Sequence, residues 1–149
     1  MDSIYNKLLN RYKSNYDSSR LLDLTNIIVE YNSDDWKQYI KFNNMKYNRI
    51  KLNKYSNDVF EFVLICWSPN QESPIHNHPT NGCIMKVLDG SLEETLYDTN
   101  MNMLGMSIYN KNNTSYIDNM KGIHKIKSND FSVSLHIYSP PNYISKCYN

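Results

Sequence analysis

The chain has 149 residues, with 16 basic and 15 acidic side chains and a formal net charge of +1. This length fits one domain and is sufficient to bury a sizeable core. The near-neutral balance argues against a strongly charged partner, so we do not expect nucleic acid as a partner.

The first part of the chain, residues 1–42, is predicted to be helical. Apolar residues recur at helical spacing before residue 10 and again over residues 21–29. Ser18 or Ser19 can cap the second helix, and Ser33 can cap a third, short helix. These helices are expected to pack on the outside of a sheet.

After residue 43 the helical spacing gives way to short alternating or β-rich runs. Turns of Asn, Gly and Asp separate them, and Asp89-Gly90 is a strong hairpin signal. The predicted strands lie at 47–52, 59–67, 83–88, 91–98, 104–109, 114–118, 122–127 and 131–138. Many short strands after a helical lead predict a mainly β fold, either a barrel or a sandwich.

No linker, internal repeat or low-complexity tail marks a second domain. We therefore expect a single domain over residues 1–149. It divides into a helical lead at 1–42, a β-barrel at 43–141 and a short C-terminal tail at 142–149.

Two histidines, His76 and His78, stand two residues apart before a short turn at 79–82. Side chains at i and i+2 of a strand point to one face, so both imidazoles converge if this segment is a strand. A third imidazole, His124, follows Gly122 in a strand pattern. Neutral imidazole is the commonest metal ligand, so these histidines predict a metal site. The alternative is that they are neighbouring surface residues.

Three neutral histidines leave a divalent cation with its full charge and with vacant positions. Such a site can accept an anionic ligand, for instance a thiolate. Three histidines bind zinc as well as iron, and the sequence leaves both open. Of the two metals only iron suits oxygen chemistry, because zinc has no redox step to offer.

The residues Ser134, His136 and Tyr138 alternate along the last predicted strand, so their side chains share one face. A hydroxyl, an imidazole and a phenol in a row can form a hydrogen-bond relay that orients the phenol. The alternative is a polar face turned to solvent. Beside the metal motif we prefer the relay, in which His136 supports the site and is not a fourth ligand.

The spacing from His76 to Gly90 is similar to the first motif of the cupin barrels: His-x-His, four residues, an acidic position, six residues and Gly. Cys83 stands at the acidic position. In this the chain resembles the cysteine dioxygenase (type I) family, thiol-oxidising cupins that use three histidines and no carboxylate. The similarity covers about residues 35–141. Its best-matched segments are 65–67, 85–97, 122–125 and 134–141.

The resemblance implies a cupin fold, the double-stranded β-helix or jelly-roll barrel, with the N-terminal helices packed outside. It implies Fe(2+) held by His76, His78 and His124, and oxidation of L-cysteine with O2 to cysteine sulfinic acid. The expected partners are this small thiol and O2, and the protein is expected to be a monomer. Since few residues follow Pro141, residues 142–145 are expected to cover the pocket.

Arg49 offers a planar fork that matches a carboxylate, although a lone arginine on a strand is more often solvated or in a surface ion pair. By resemblance, Arg49 pairs with the substrate carboxylate, with Tyr47 alongside. The related mercaptopropionate dioxygenases place Gln at this position. Arg49 therefore favours cysteine over 3-mercaptopropionate.

In cysteine dioxygenases the residues corresponding to Cys83 and Tyr138 are joined by a thioether bond. This chain has both partners, so the resemblance implies that the cross-link can form and hold the phenol in place. Tyr138, oriented by His136 and Ser134, is then expected to bond the substrate carboxylate or the oxygen. Trp67 is expected to pack near the pocket rim without a catalytic role.

Two other functions stay open at this point. One is a dioxygenase for 3-mercaptopropionate or another small thiol. The other is a non-catalytic metal-binding cupin that senses or binds a small ligand. Tyr138 and Cys83 argue against the second, because a binding module needs no phenol beside its metal.

Three cysteines, Cys66, Cys83 and Cys147, are too few and too scattered for a disulfide framework, and their odd number fits a reducing compartment. The N-terminus shows no signal peptide. No apolar run approaches the roughly 18 residues that a membrane span needs. Together these features predict a cytoplasmic protein without a membrane contact.

Overall fold

The computed structural model describes residues 1–14 and 21–149. Its α-helices are α1 (Asp2–Ser14) and α2 (Thr25–Val29), and short 3-10 helices lie at Leu21–Leu24, Asp35–Tyr39 and Asn53–Tyr55. The strands are β1 Asn48–Lys51, β2 Glu61–Trp67, β3 Ile75–His76, β4 Cys83–Asp89, β5 Ser91–Tyr97, β6 Met103–Asn110, β7 Thr114–Ile117, β8 Ile123–Ser128, β9 Ser132–Tyr138 and β10 Cys147–Tyr148.

These strands form two five-stranded antiparallel sheets. The first sheet has the order β1-β2-β9-β4-β7 and the second has the order β10-β3-β8-β5-β6. Each predicted strand segment contains an observed strand, so the mainly β prediction is confirmed. The structure adds β3 and β10, which have two residues each and are too short to show an alternating pattern in the sequence.

The hairpin predicted at Asp89-Gly90 is wrong, because the two strands that it joins lie in different sheets. β4 pairs with β7 and β9, whereas β5 pairs with β6 and β8. Gly90 does adopt a positive φ of 73°, and a Cβ there would collide with Ser132. The dipeptide therefore encodes a tight turn, but the turn carries the chain from one sheet to the other.

Apolar side chains form two separate cores. The inner core lies between the sheets and includes Ile65 and Met85 from the first sheet and Leu92 and Ile126 from the second. The outer core lies between the other face of the first sheet and the N-terminal helices. Because β2 and β9 contribute to both cores, all their residues are buried. This explains the unbroken apolar run that follows Glu61 in β2, whereas β9 alternates polar and apolar residues.

A buried lysine fixes the helical lead to the barrel. Lys86 lies on β4, and its Nζ donates hydrogen bonds to the carbonyl oxygens of Ile28, Val29 and Tyr31 at 3.2, 2.7 and 2.5 Å. Ile28 and Val29 are the last two residues of α2, and Tyr31 follows the helix, a place where backbone carbonyls run out of helical donors. A cation there also complements the helix dipole. The helices thus pack outside the sheet, as predicted.

The third predicted helix is present as the 3-10 helix Asp35–Tyr39. Ser33 acts at its start, since the Asp35 N–H donates to Ser33 Oγ at 3.2 Å. Ser18 and Ser19, the predicted caps of the second helix, lie outside the described residues. Within residues 1–14 and 21–149, none of the helices has the length and apolar character to span a membrane.

Candidate metal centre

Three histidines from three different segments meet in the cavity between the sheets. His76 ends β3, His78 lies in the following loop, and His124 is the second residue of β8. His76 and His124 are directly paired across β3 and β8. One ring nitrogen of each histidine lies within 4.8 Å of the others, and His78 Nε2 is 2.9 Å from His124 Nε2. The structure therefore brings together all three predicted ligands.

His78 converges on this point although it has already left the strand. Its backbone N–H donates to Asn119 Oδ1 at 2.9 Å, and Asn119 Nδ2 donates to the His78 carbonyl oxygen at 2.9 Å. Asn119 stands in the turn between β7 and β8. This two-way bond ties the loop of His78 to the turn that leads into His124. Asn119 is not among the predicted site residues.

Hydrogen bonds to the outer nitrogens of two rings leave their inner nitrogens free to bind. His76 Nδ1 donates to the Pro74 carbonyl oxygen at 2.8 Å, and His124 Nδ1 donates to Glu94 Oε2 at 2.7 Å. The Nε2 atoms of these neutral rings then carry lone pairs. In the described part of the chain, the buried His78 Nδ1 has no hydrogen-bond partner.

Burial is the main cause that lowers the pKa of all three imidazoles below the ordinary histidine value. The rings are therefore neutral near pH 7. Neutral imidazoles present lone pairs in place of positive charge, so they bind a divalent cation well. The donor set thus fits a divalent metal ion on its own geometry and charge.

The predicted relay is present on β9. Ser134 Oγ lies 2.8 Å from His136 Nε2, and His136 Nδ1 lies 3.4 Å from the Tyr138 hydroxyl. Trp67 extends it, because its Nε1–H donates to Ser134 Oγ at 2.9 Å. Trp67 is only 1% exposed and stacks on Tyr47 with ring centroids 4.6 Å apart. Its indole therefore supports the relay, a role that the sequence analysis did not anticipate.

Two further side chains reach the Tyr138 phenol. Arg49 Nη1 donates to the phenol oxygen at 3.3 Å, and the Arg49 guanidinium carbon lies 5.4 Å from the ring centroid. Cys83 stands directly opposite Tyr138 in the β4–β9 ladder, and its Sγ is 3.9 Å from His136 Nδ1. Burial raises the pKa of Cys83 to about 12. Burial, followed by Cys83, also raises the pKa of Tyr138, so thiol and phenol are both protonated.

These groups line one cavity of about 340 Å³. Its wall includes the three histidines, Arg49, Tyr47, Cys83, His136 and Tyr138. Among the described residues, no aspartate or glutamate lines it. The space beside the three imidazoles is therefore free of protein carboxylates.

The C-terminal tail forms part of the cavity wall through Tyr143, Ile144 and Ser145. Asn77, which stands between two of the histidines, holds the tail in place. Its Oδ1 accepts hydrogen bonds from Tyr143 Oη at 3.0 Å and from the Lys146 N–H at 2.7 Å, and its N–H donates to the Lys146 carbonyl oxygen at 3.1 Å. The segment expected over the pocket lies there, apart from Asn142, whose side chain accepts a bond from Lys51 instead.

Glu94, which bonds His124, is a further residue that the sequence analysis missed. Alternation along β5 offered a signal, because Glu94 shares a face with the apolar residues Leu92 and Leu96. A charged residue on an inward face is unusual unless it is paired.

Comparison with known proteins gives one consistent family. The sequence model of the family "Cysteine dioxygenase type I" matches residues 7–149. Cysteine dioxygenase type 1 of Danio rerio is 32% identical over 137 residues, covering 84% of this chain and 68% of the fish protein. The Homo sapiens protein of the same name is 33% identical over 126 residues, covering 77% and 62%. The chain therefore spans about two thirds of the length of these relatives.

A solved structure from Klebsiella pneumoniae has the same architecture. It is described as an uncharacterized conserved protein with a double-stranded β-helix domain, and it aligns with a TM-score of 0.62 at 15% identity. The alignment covers 80% of this chain and 97% of that one. The predicted cupin fold is thereby confirmed.

Proposed function

The chain belongs to the cysteine dioxygenase type I family, and on this basis we propose that it oxidises L-cysteine with O2 to cysteine sulfinic acid. One observation carries the proposal. Three neutral imidazoles converge in a cavity that also holds a guanidinium and an oriented phenol, and no acidic side chain of the described residues lines it.

His76, His78 and His124 would hold the metal, and we propose Fe(2+). When bound, iron supplies the redox chemistry by which O2 reacts with a thiol. Three neutral donors leave the charge of the cation uncancelled, which favours capture of an anionic thiolate at the same place. The protein's own contribution is to position the substrate and to control protons near the sulfur.

Arg49 would bind the substrate carboxylate. Its guanidinium offers a planar fork at the cavity wall, and Tyr47 lines the same wall. Arg49 also donates to the Tyr138 hydroxyl, so a carboxylate on Arg49 would lie beside the phenol. Arginine at this position favours cysteine, and 3-mercaptopropionate is the second candidate substrate.

Tyr138 would hold a proton beside the reacting groups. Its phenol is protonated, and His136, itself fixed by Ser134 and Trp67, orients the hydroxyl. We also propose that Cys83 and Tyr138 become joined by a thioether. This two-electron oxidation breaks the S–H bond and one ring C–H bond beside the hydroxyl and forms a bond between Sγ and that carbon. The two protons and two electrons pass to O2, which is reduced to hydrogen peroxide.

An oxygen-electrode assay of the iron-loaded protein tests the proposed activity, with cysteine, 3-mercaptopropionate and cysteamine as separate substrates. We expect O2 uptake with cysteine and a sulfinate product identified by mass spectrometry. O2 uptake with 3-mercaptopropionate and not with cysteine would identify 3-mercaptopropionate as the substrate. Tight metal binding without any thiol-dependent O2 uptake would instead indicate a binding protein.

A further inference from the structure

We infer that Glu94 is a positioning residue for the metal, acting through His124. Its carboxylate would keep the proton of His124 on Nδ1, leave Nε2 free to bind, and place a negative charge one layer behind the ligands. The inference rests on the proposed function only in taking His124 as a ligand.

The geometry places Glu94 behind the imidazole and away from the cavity. Glu94 Oε2 lies 2.7 Å from His124 Nδ1, while His124 Nε2 faces His78. The side chains of Glu94 and His124 are 12% and 7% exposed. Because the imidazole ring stands between the carboxylate and the converging nitrogens, Glu94 supports a ligand and is not a ligand itself.

The strand register explains this contact. Glu94 is paired with Ile126 in the β5–β8 ladder, and His124 is the diagonal neighbour two residues away on the same face. On the other side, β6 brings Tyr109, whose hydroxyl donates to Glu94 Oε1 at 3.4 Å. The chain Tyr109–Glu94–His124 thus crosses three adjacent strands and fixes both carboxylate oxygens.

The positive charge expected at the metal site makes a negative charge behind His124 favourable. The acidic position of the cupin motif is Cys83 in this chain, and Arg49 adds a positive charge to the cavity. A divalent cation would then meet three neutral ligands and a nearby guanidinium. Glu94 supplies compensating charge without filling a position needed by a thiol, and a carboxylate behind a ligating histidine strengthens the ligand.

A Co(2+) titration followed by visible absorption tests the inference, because it reports affinity and ligand field without thiol oxidation. Glu94→Gln keeps the shape and removes the charge. We expect it to weaken Co(2+) binding by about 10- to 100-fold and to shift the d–d bands. The matched control is Glu93→Gln on the same strand, which should bind as the wild type, because Glu93 points to the opposite face.

Two further variants make the result decisive. Tyr109→Phe keeps the ring and removes the hydroxyl that bonds Glu94 Oε1 and that also interacts with Ser107 and Ser115. It should give a smaller loss in the same direction, and it decides the matter if Glu94→Gln does not fold. In a His124→Ala background, Glu94→Gln should cause no additional loss. The inference is overturned if Glu94→Gln leaves affinity and spectrum unchanged, or if its effect persists without His124. Failure of cysteine oxidation with intact Co(2+) binding would instead contradict only the proposed function.

Discussion

Arg49 carries the one permanent positive charge among the described residues that line the cavity. A charge in such a position interacts more strongly with a bound anion than a surface arginine does, because the local dielectric is lower. Arg49 Nη1 donates to the Tyr138 hydroxyl, a bond that uses one of the five N–H groups of the guanidinium.

We predict that Arg49→Ala lowers kcat/KM for cysteine, mainly by raising KM, because a desolvated charge pair with the carboxylate is lost. The decrease should correspond to a loss of roughly 2–5 kcal/mol of binding free energy. Oxidation of cysteamine, which has no carboxylate, should change little. Steady-state O2 uptake measures both. Lys51→Ala on the same strand is the control, because that side chain bonds Glu61 and Asn142, neither of which lines the cavity. An unchanged KM for cysteine would remove Arg49 from the binding site.

The Cys83–Tyr138 pair allows a second prediction. After turnover with iron, O2 and cysteine, peptide mass spectrometry should detect a joined peptide lighter by two hydrogen atoms than its two parts. Cys83→Ser and Tyr138→Phe should each abolish it. Cys66→Ser and Cys147→Ser are the controls, since neither residue is paired with Tyr138 in the sheet. Only free thiol at Cys83 after many turnovers would contradict the cross-link.

Strand β4 contacts the cavity with one face and the helices with the other. Its inner face presents Cys83 and Met85 to the cavity, whereas its outer face presents Lys86 to the end of α2. The same strand thus carries part of the site and the attachment of the helices. A change on the outer face is expected to affect stability more than catalysis.

We predict that Lys86→Met lowers the free energy of unfolding by about 2–3 kcal/mol, because the carbonyls at the end of α2 lose their donor. Urea unfolding followed by circular dichroism measures this. Lys111→Met, at an exposed ion pair with Asp89, should cost less than about 1 kcal/mol. If both variants were equally stable, the bonds of Lys86 would not hold the helices to the barrel.

The tail that leads into β10 is held by the side chain of Asn77, in addition to the pairing of β10 with β3. In Asn77→Ala, the Oδ1 acceptor for Tyr143 and Lys146 is lost, so amide hydrogen exchange over residues 143–148 should become faster. Asn48→Ala, which removes one exposed bond to the Lys41 carbonyl, is the matched control and should leave the tail unchanged. Unaltered exchange in both variants would show that the backbone pairing of β10 with β3 suffices.

For the molecule as a whole, metal binding and folding should be coupled. The three histidines come from β3, its following loop and β8, so a bound cation joins segments far apart in sequence. A ligand that binds only the folded state stabilises it by mass action, by about 2.7 kcal/mol at a hundredfold excess over Kd.

We therefore predict that saturating Co(2+) raises Tm by roughly 5–10 °C relative to the protein in chelator, as expected for a chain of this size. Differential scanning calorimetry measures the shift. His78→Ala should remove it, whereas Asn119→Ala, which frees the loop of His78 but keeps the imidazole, should reduce it. A Tm independent of the cation would contradict a site formed by these three side chains.

Local patterns were enough for much of this architecture. Alternating or β-rich runs located eight of the strands. The His-x-His spacing located two candidate ligands, although only His76 lies in a strand and His78 is oriented by its loop. The same kind of local pattern predicted a hairpin at Asp89-Gly90, and that prediction is wrong. A turn dipeptide reports a local positive φ and does not report which strand lies alongside.

The class of fold, the family and the residues available for chemistry follow from spacing, residue type and similarity, so they could be read from the sequence. Which of those residues come into contact depends on how the strands pair in three dimensions. The bond of Glu94 to His124 joins residues 30 positions apart, and the bond between Asn77 and Lys146 joins residues 69 positions apart. Such contacts depend on the pairing of distant strands, for which a local pattern carries no information.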